Sequence, residues 1–167
     1  MTRRHVLERV QLIPLPRAEV FTFFSDARNL ERITPAWLRF RITTPGDIPM
    51  APGTLIDYRL SLYGLPFGWR TRIEAFEPGR SFVDRQLSGP YRHWSHLHAF
   101  EDAGGPGGAA YTRMTDRVEY ELPFGPLGTV AHAVFVRGAL ARIFDHRRER
   151  IEALLAPAGG AVSAGAR

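Results

Sequence analysis

The alternation of apolar and polar residues predicts a chain that begins with one strand and two short helices. Residues 5–14 alternate with a period of about two and end at Pro14, which is typical of a strand. Pro16 can begin a short helix, since proline suits the first helical turn. A second short helix through Leu30 ends before Pro35, because a proline ring cannot continue a helix.

After Pro35 the period-two pattern recurs in segments separated by turn-forming residues. The predicted strands are residues 40–44, 54–63, 68–76, 81–87, 91–101 and 110–121. Short turns such as residues 77–80 join successive strands, so the strands must run antiparallel. With the first strand they form one sheet of about seven strands, which is large enough to curve.

A long helix is predicted near the carboxyl end, where no proline occurs between Pro126 and Pro157. Its apolar residues recur at three- and four-residue spacing: Val136, Leu140, Ile143, Phe144, Ile151, Leu154 and Leu155. Such a stripe must be buried, and the concave side of the sheet is the available partner. The solvated face is expected to carry the basic residues Arg142, His146, Arg147, Arg148 and Arg150, for which an anionic membrane surface is a candidate transient partner.

Length and composition favour one globular domain, assigned to residues 1–156, with an Ala- and Gly-rich tail over residues 157–167 that is expected to be disordered. The absence of cysteine excludes disulfides, thiolate metal sites and cysteine nucleophiles. The net charge is +5, but the arginines are scattered along the chain, so nucleic acid is not an expected partner. Without a signal-peptide pattern or an apolar run of about 20 residues, we expect a cytoplasmic protein.

Two motifs and the order of elements resemble the START/SRPBCC superfamily, the helix-grip fold of the birch pollen allergen. Residues 13–24, Ile-Pro-Leu-Pro-Arg-Ala-Glu-Val-Phe-Thr-Phe-Phe, followed by Asn29-Leu30-Glu31, resemble the polyketide cyclase/dehydrase and coenzyme-Q-binding members. The second motif is Pro-Phe-Gly-Pro-Leu-Gly at residues 123–128. The resemblance covers about residues 4 to 155 and implies an α+β fold in which a strongly curved antiparallel sheet grips the long helix around an apolar, ligand-sized cavity. The superfamily includes carriers, receptors and cyclases, so the resemblance does not fix an activity.

The predicted strand alternation directs several polar side chains into this interior. In residues 91–101, His96 and His98 share a face with Trp94, while residues 81–87 and 110–121 carry Asp84 and Asp116 inward. Burying such groups costs several kcal/mol unless they are hydrogen-bonded or paired. Pairing between Asp and His would satisfy them and shift the pKa values of both. A register slip of one residue would turn the whole set outward.

Several interpretations of this His and Asp cluster stay open. It is a hydrogen-bonded network that fixes strand register, a polar recognition site in an apolar pocket, or a catalytic site. In the catalytic case His96 or His98 is the general acid/base, oriented by Asp84 or Asp116. A His-x-His pair with a carboxylate also suits a metal, but this short pattern arises easily by chance, and we expect no metal and no other cofactor.

The favoured function is binding of a small hydrophobic molecule: a lipid, an isoprenoid quinone or a polyketide-like aromatic. The predicted ligand contacts are Tyr58, Trp69, Phe82, Gln86, Trp94, Met114, Tyr120 and Phe135. The expected entry lies between the loop at residues 45–53, the turn at 63–68 and the amino-terminal half of the long helix. The alternatives are a cyclase/dehydratase-type enzyme with a His–Asp acid–base pair, and an interaction module with a filled interior.

Overall fold

The computed structural model of the chain describes residues 4–62, 64–123, 130 and 135–156. In chain order the elements are β1 (Arg4–Ile13), α1 (Arg17–Phe24), α2 (Asn29–Ile33), a 3-10 turn (Ala36–Leu38), β2 (Arg41–Ile42), β3 (Leu55–Leu62), β4 (Leu65–Glu77), β5 (Ser81–Ser88), β6 (His93–Gly104), a 3-10 turn (Pro106–Gly108), β7 (Ala110–Glu121) and α3 (Arg137–Leu154). The predicted order of strands and helices is confirmed. The predicted tail and most of the motif at residues 123–128 lie outside the described residues.

The seven strands form one curved antiparallel sheet in the order β1-β7-β6-β5-β4-β3-β2. Strands β2 to β7 are neighbours in the order in which they occur in the chain. Short turns connect β3 through β7, and a longer loop at residues 43–54 joins β2 to β3. The first strand crosses to the far edge and pairs with the last one, from Arg4 opposite Glu121 to Ile13 opposite Thr112. The chain therefore has the α+β helix-grip architecture that its sequence predicts.

Helix α3 packs its apolar stripe against the inner face of the sheet. Leu140 and Phe144 form one buried cluster with inner residues of β6 and β7, namely Trp94, Val118 and Tyr120. Ile151 joins a second cluster with α1 and strands β5 to β7, which contains Val20, Phe21, Phe24, Phe82, Phe100 and Met114. Burial of this stripe ties the two ends of the helix to different parts of the sheet. None of the helices in the described ranges is both long and apolar enough to cross a membrane.

One predicted orientation in β4 is wrong. Strict alternation from Trp69 would point Ala75 inward, but Ala75 is exposed and Phe76 instead packs against the core. The pairing of β4 with β5 shifts register between Ile73 and Ala75. A β-bulge inserts one extra residue into a strand, so it reverses the inward and outward positions beyond it.

A matched pair of valine substitutions tests the inner face of the sheet. Val118 in β7 is fully buried, whereas Val6 in the neighbouring strand β1 is 54% exposed. We expect Val118→Ala to lower the free energy of unfolding by about 2 kcal/mol, because two buried methyl groups are lost and a cavity remains. Val6→Ala should change it by less than about 0.5 kcal/mol. Chemical denaturation of both variants measures the difference, and equal losses would contradict the assigned faces.

Candidate functional site

A cavity of about 300 Å³ lies between the sheet, α2 and α3. Aromatic rings form much of its wall: the ring centroids of Trp69 and Trp94 are 5.1 Å apart, and those of Tyr91 and Trp94 are 4.7 Å apart. Leu140 and Phe144 of α3 close the opposite side. The space between sheet and helix is therefore large enough for a small organic molecule, which argues against an interaction module with a filled interior.

Half of the predicted ligand contacts line this cavity: Tyr58, Trp69, Phe82 and Trp94. Met114 and Tyr120 lie instead in the buried clusters beneath α1 and α3, where packed neighbours cover them. The Gln86 amide points to the start of β6, where its Nε2 donates to the Tyr91 carbonyl at 2.6 Å. That hydrogen bond holds the turn between β5 and β6 and keeps the amide out of the cavity.

Phe135 was predicted to contact a ligand, but the structure places it 58% exposed. The next residue, Val136, lines the cavity instead. Successive positions in a helical turn point about 100° apart, so the inward direction of Val136 turns Phe135 outward. Met50 from the 45–53 loop and Phe67 at the start of β4 also line the cavity, so the segments of the predicted entry border it.

The polar end of the cavity is formed by Asp84, His96 and His98, with Asp116 behind them. Strand register brings them together, because Asp84 of β5 lies opposite His96 of β6, and His98 lies opposite Asp116 of β7. Residues directly and diagonally opposite on one face of a sheet are within reach of each other. The structure thus places all four side chains inward, in the register that the sequence predicts.

Each imidazole lies between the two carboxylates. On one side, His98 Nε2 is 3.1 Å and His96 Nδ1 is 3.7 Å from Asp84 Oδ2. On the other side, His96 Nε2 is 2.8 Å and His98 Nδ1 is 3.1 Å from Asp116 Oδ1. The two imidazole rings are in contact, with centroids 3.8 Å apart, and the ring of Phe82 stacks on His98.

Arg147 of α3 completes the cluster, and its predicted place on the solvated face is wrong. Its side chain is buried, with Nε 3.5 Å from Asp116 Oδ2 and the guanidinium packed over the ring of Phe144. The signal was present in the sequence, because Leu140, Phe144, Arg147 and Ile151 continue the apolar stripe at spacings of four, three and four. The prediction placed Arg147 in solvent because its side chain is charged, whereas its position on the helix places it in the core.

Burial and pairing pull the pKa values of these groups in opposite directions. Burial raises the pKa of Asp116, but Arg147 and both histidines outweigh it and hold the pKa well below its usual range. Burial and the neighbouring His98 lower the pKa of His96. Burial also lowers the pKa of His98, but its hydrogen bonds to Asp116 and Asp84 outweigh this and raise the pKa. The two histidines therefore have unlike proton affinities at one site.

Tyr58 adds a neutral hydroxyl near this end of the cavity. Burial raises the pKa of its phenol, and the negative charge of Asp84 raises it further. Thr71 also lines the cavity and accepts a hydrogen bond from Trp69 Nε1 at 3.1 Å. The site as a whole therefore offers hydroxyl, imidazole and carboxylate groups to an oxygen-bearing ligand, and Asp84, His96 and His98 are also compact enough to surround a metal ion.

Solved structures with the same architecture include ginseng major latex-like protein 151 from Panax ginseng, which is 14% identical, with 92% of this chain and 99% of that chain covered at a TM-score of 0.64. TTHA0849 from Thermus thermophilus is 14% identical, with 90% and 99% covered at a TM-score of 0.66. Ms6760 from Mycobacterium smegmatis is 15% identical, with 93% and 96% covered at a TM-score of 0.64. At this identity the likeness concerns the fold, which is the birch-pollen-allergen-like fold of the SRPBCC superfamily.

The sequence itself carries the family assignment. No curated protein sequence matches the chain. Residues 13–148, however, match the profile of a family described as polyketide cyclase / dehydrase and lipid transport. This range runs from the end of β1 to the basic part of α3, so it includes the cavity and every member of its polar cluster. The chain belongs to the polyketide cyclase/dehydrase and lipid transport family.

Proposed function

We propose that this protein binds a compact aromatic molecule of the polyketide type, with its rings against the apolar wall and an oxygen atom at Asp84, His96 and His98. The observation that carries the proposal is the shape of the site: an apolar, aromatic-lined cavity that ends in a buried, charged cluster. Small-molecule sites commonly combine mostly apolar walls with a few convergent polar groups. Membership of the family supports the binding of a hydrophobic ligand in general.

The size and walls of the cavity favour a ring compound over the other predicted ligands. A volume of about 300 Å³ is at the lower end of the range for small-molecule sites, roughly 300–1,000 Å³. A long isoprenoid chain or a two-chain lipid needs more room. Trp69, Tyr91 and Trp94 present ring faces and edges to the cavity, and such surfaces pack well against flat aromatic molecules.

The polar end favours a ligand that carries a hydroxyl or carbonyl group. Asp84 already binds His98, but its carboxylate retains lone pairs for a further hydrogen bond on the cavity side. A ligand hydroxyl placed there replaces hydrogen bonds to water, whereas an all-carbon ligand leaves this side of the carboxylate without a donor. The unpaired acceptor then costs about 1–3 kcal/mol, which makes the site selective for oxygen-bearing ligands.

Ligand class can be tested by titrating the purified protein with 1-naphthol, a short-chain isoprenoid quinone and a single-chain fatty acid. We expect 1-naphthol to bind with the highest affinity at one molecule per chain, as measured by calorimetry and native mass spectrometry. Leu60→Trp should abolish this binding, because Leu60 lines the cavity and the indole would fill it. Val6→Trp on the outer face is the matched control. Tighter binding of the fatty acid or the quinone would contradict the proposal of an aromatic ligand and indicate that the cavity binds that class instead.

The polar end is tested by comparing 1-naphthol with naphthalene in Asp84→Asn. We expect the variant to bind 1-naphthol about fivefold more weakly, since a hydrogen bond to a charged acceptor is worth roughly 1 kcal/mol more than one to a neutral acceptor. Naphthalene, which has no oxygen, should bind both proteins equally. Asp102→Asn is the control, because Asp102 is an exposed carboxylate at the far end of β6. Equal losses for both ligands would assign Asp84 to the structural network alone.

A cyclase/dehydratase-type activity is a second candidate, supported by the contact between His98 Nε2 and Asp84 on the cavity wall. A base at this position would remove a proton from the carbon next to a ligand carbonyl, the first step of an aldol reaction.

With 2-tetralone in D₂O, we expect deuterium to enter the carbon next to the carbonyl faster than in protein-free buffer. His98→Gln should lower the rate by at least about 100-fold while binding persists, and His146→Gln should not. If deuterium exchange is no faster than in buffer, the protein binds the ketone without catalysing proton removal, and the second candidate is wrong.

A further inference from the structure

We infer that Asp84, His96 and His98 form a binding site for one divalent transition-metal ion at the polar end of the cavity. Two imidazole nitrogens and one carboxylate oxygen suit Zn²⁺ and its first-row neighbours, whereas Ca²⁺ and Mg²⁺ prefer sites made of oxygen atoms. The inference goes beyond the proposed function, because an ion binds here without any organic ligand.

The distances between the three groups match those around a small ion. A tetrahedral ion with bonds of about 2.1 Å holds its ligand atoms about 3.4 Å apart. Asp84 Oδ2 is 3.1 Å from His98 Nε2 and 3.7 Å from His96 Nδ1, which bracket this value. One ligand atom from each residue lies within 4.8 Å of the other two. An ion takes the position that the Nε2 proton of His98 holds when that nitrogen donates to Asp84.

Asp116 orients the two histidines for metal binding from the side away from Asp84. Its Oδ1 accepts from His96 Nε2 at 2.8 Å and is 3.1 Å from His98 Nδ1. Metal-binding histidines usually donate their second ring N–H to such a carboxylate, which fixes the tautomer and the ring orientation. With the protons held at Asp116, the lone pairs of His96 Nδ1 and His98 Nε2 point to Asp84 and the cavity.

Arg147 lies on the same far side and balances the charge of Asp116. Its Nε is 3.5 Å from Asp116 Oδ2, and its Nη2 is 3.4 Å from His98 Nδ1. The shorter contact of Nδ1, 3.1 Å to Asp116 Oδ1, is the one in which a ring N–H donates to the carboxylate. The Arg147–Asp116 pair is neutral, so a divalent ion on Asp84 and two neutral histidines leaves one net positive charge. Asp84, His96 and His98 line the cavity, while Asp116 does not. The ion's open positions therefore face the cavity, where they favour an anionic oxygen such as a phenolate or an enolate.

Titration of chelator-treated protein with Co²⁺ tests the site directly. We expect the visible absorption of protein-bound Co²⁺ to saturate at one ion per chain. Asp84→Asn and His98→Gln should abolish the saturable signal, and Asp116→Asn should weaken binding roughly 10- to 100-fold, as for a residue that orients the ligands. Asp102→Asn and His146→Gln are the controls, since neither residue lies at the site and both variants should bind as the wild type does.

Wild-type protein provides a measurement that does not depend on the folding of any variant. In long-range ¹H–¹⁵N spectra, Zn²⁺ should shift His96 Nδ1 and His98 Nε2 and leave the other histidines unchanged. Unchanged signals for both residues, no saturable Co²⁺ absorption, or Co²⁺ bound equally well by His98→Gln would each overturn the inference. Binding of 1-naphthol to the chelator-treated protein is measured separately, so failure of the metal site and failure of the proposed function are distinguishable.

Discussion

The burial of Asp116 governs how helix α3 is docked on the sheet. Its exposed fraction is only 6%, and a carboxylate so enclosed would be strongly destabilising unless opposite charge and hydrogen-bond donors surround it. The partners come from two other elements: Arg147 from α3, and His96 and His98 from β6. Only one docking of the helix on the sheet brings these groups together.

This requirement links the packing of α3 to the register of the sheet. A slip of one residue in β7 would send Asp116 to solvent and leave Arg147 buried without a counter-charge, which costs about 3–5 kcal/mol when one partner of a buried pair is lost. A shift of α3 by one residue would move Arg147 away in the same manner. The polar cluster thus fixes the geometry of the cavity that it borders, so a structural role and a binding role are compatible in the same residues.

The sequence predicts the fold and the inward positions of the cluster because both follow from strict periodicity. Strand alternation places His96, His98 and Asp116 on the face that carries Trp94 and Val118, and pairing of the strands sets them opposite each other. Prediction was wrong at Ala75 and Arg147 for different physical reasons. The bulge in β4 breaks the alternation, and no residue type in this strand indicates where the bulge occurs. Arg147 lies on the apolar stripe of α3, but its charge favoured solvent, and the partner that makes its burial possible, Asp116, is on another element.

Distances between side chains are a further step beyond any sequence pattern, and they decide the character of the site. A His-x-His pair on a strand places two imidazoles on one face but leaves open which nitrogen meets which carboxylate. The structure resolves this, because Asp116 faces one nitrogen of each ring and Asp84 faces the other. The carboxylate on the helix side is neutralised by Arg147, whereas the one on the cavity side has no arginine among its ion pairs in the described residues. The carboxylate of Asp84 therefore faces the cavity, where it can bind a proton, a metal ion or a ligand hydroxyl.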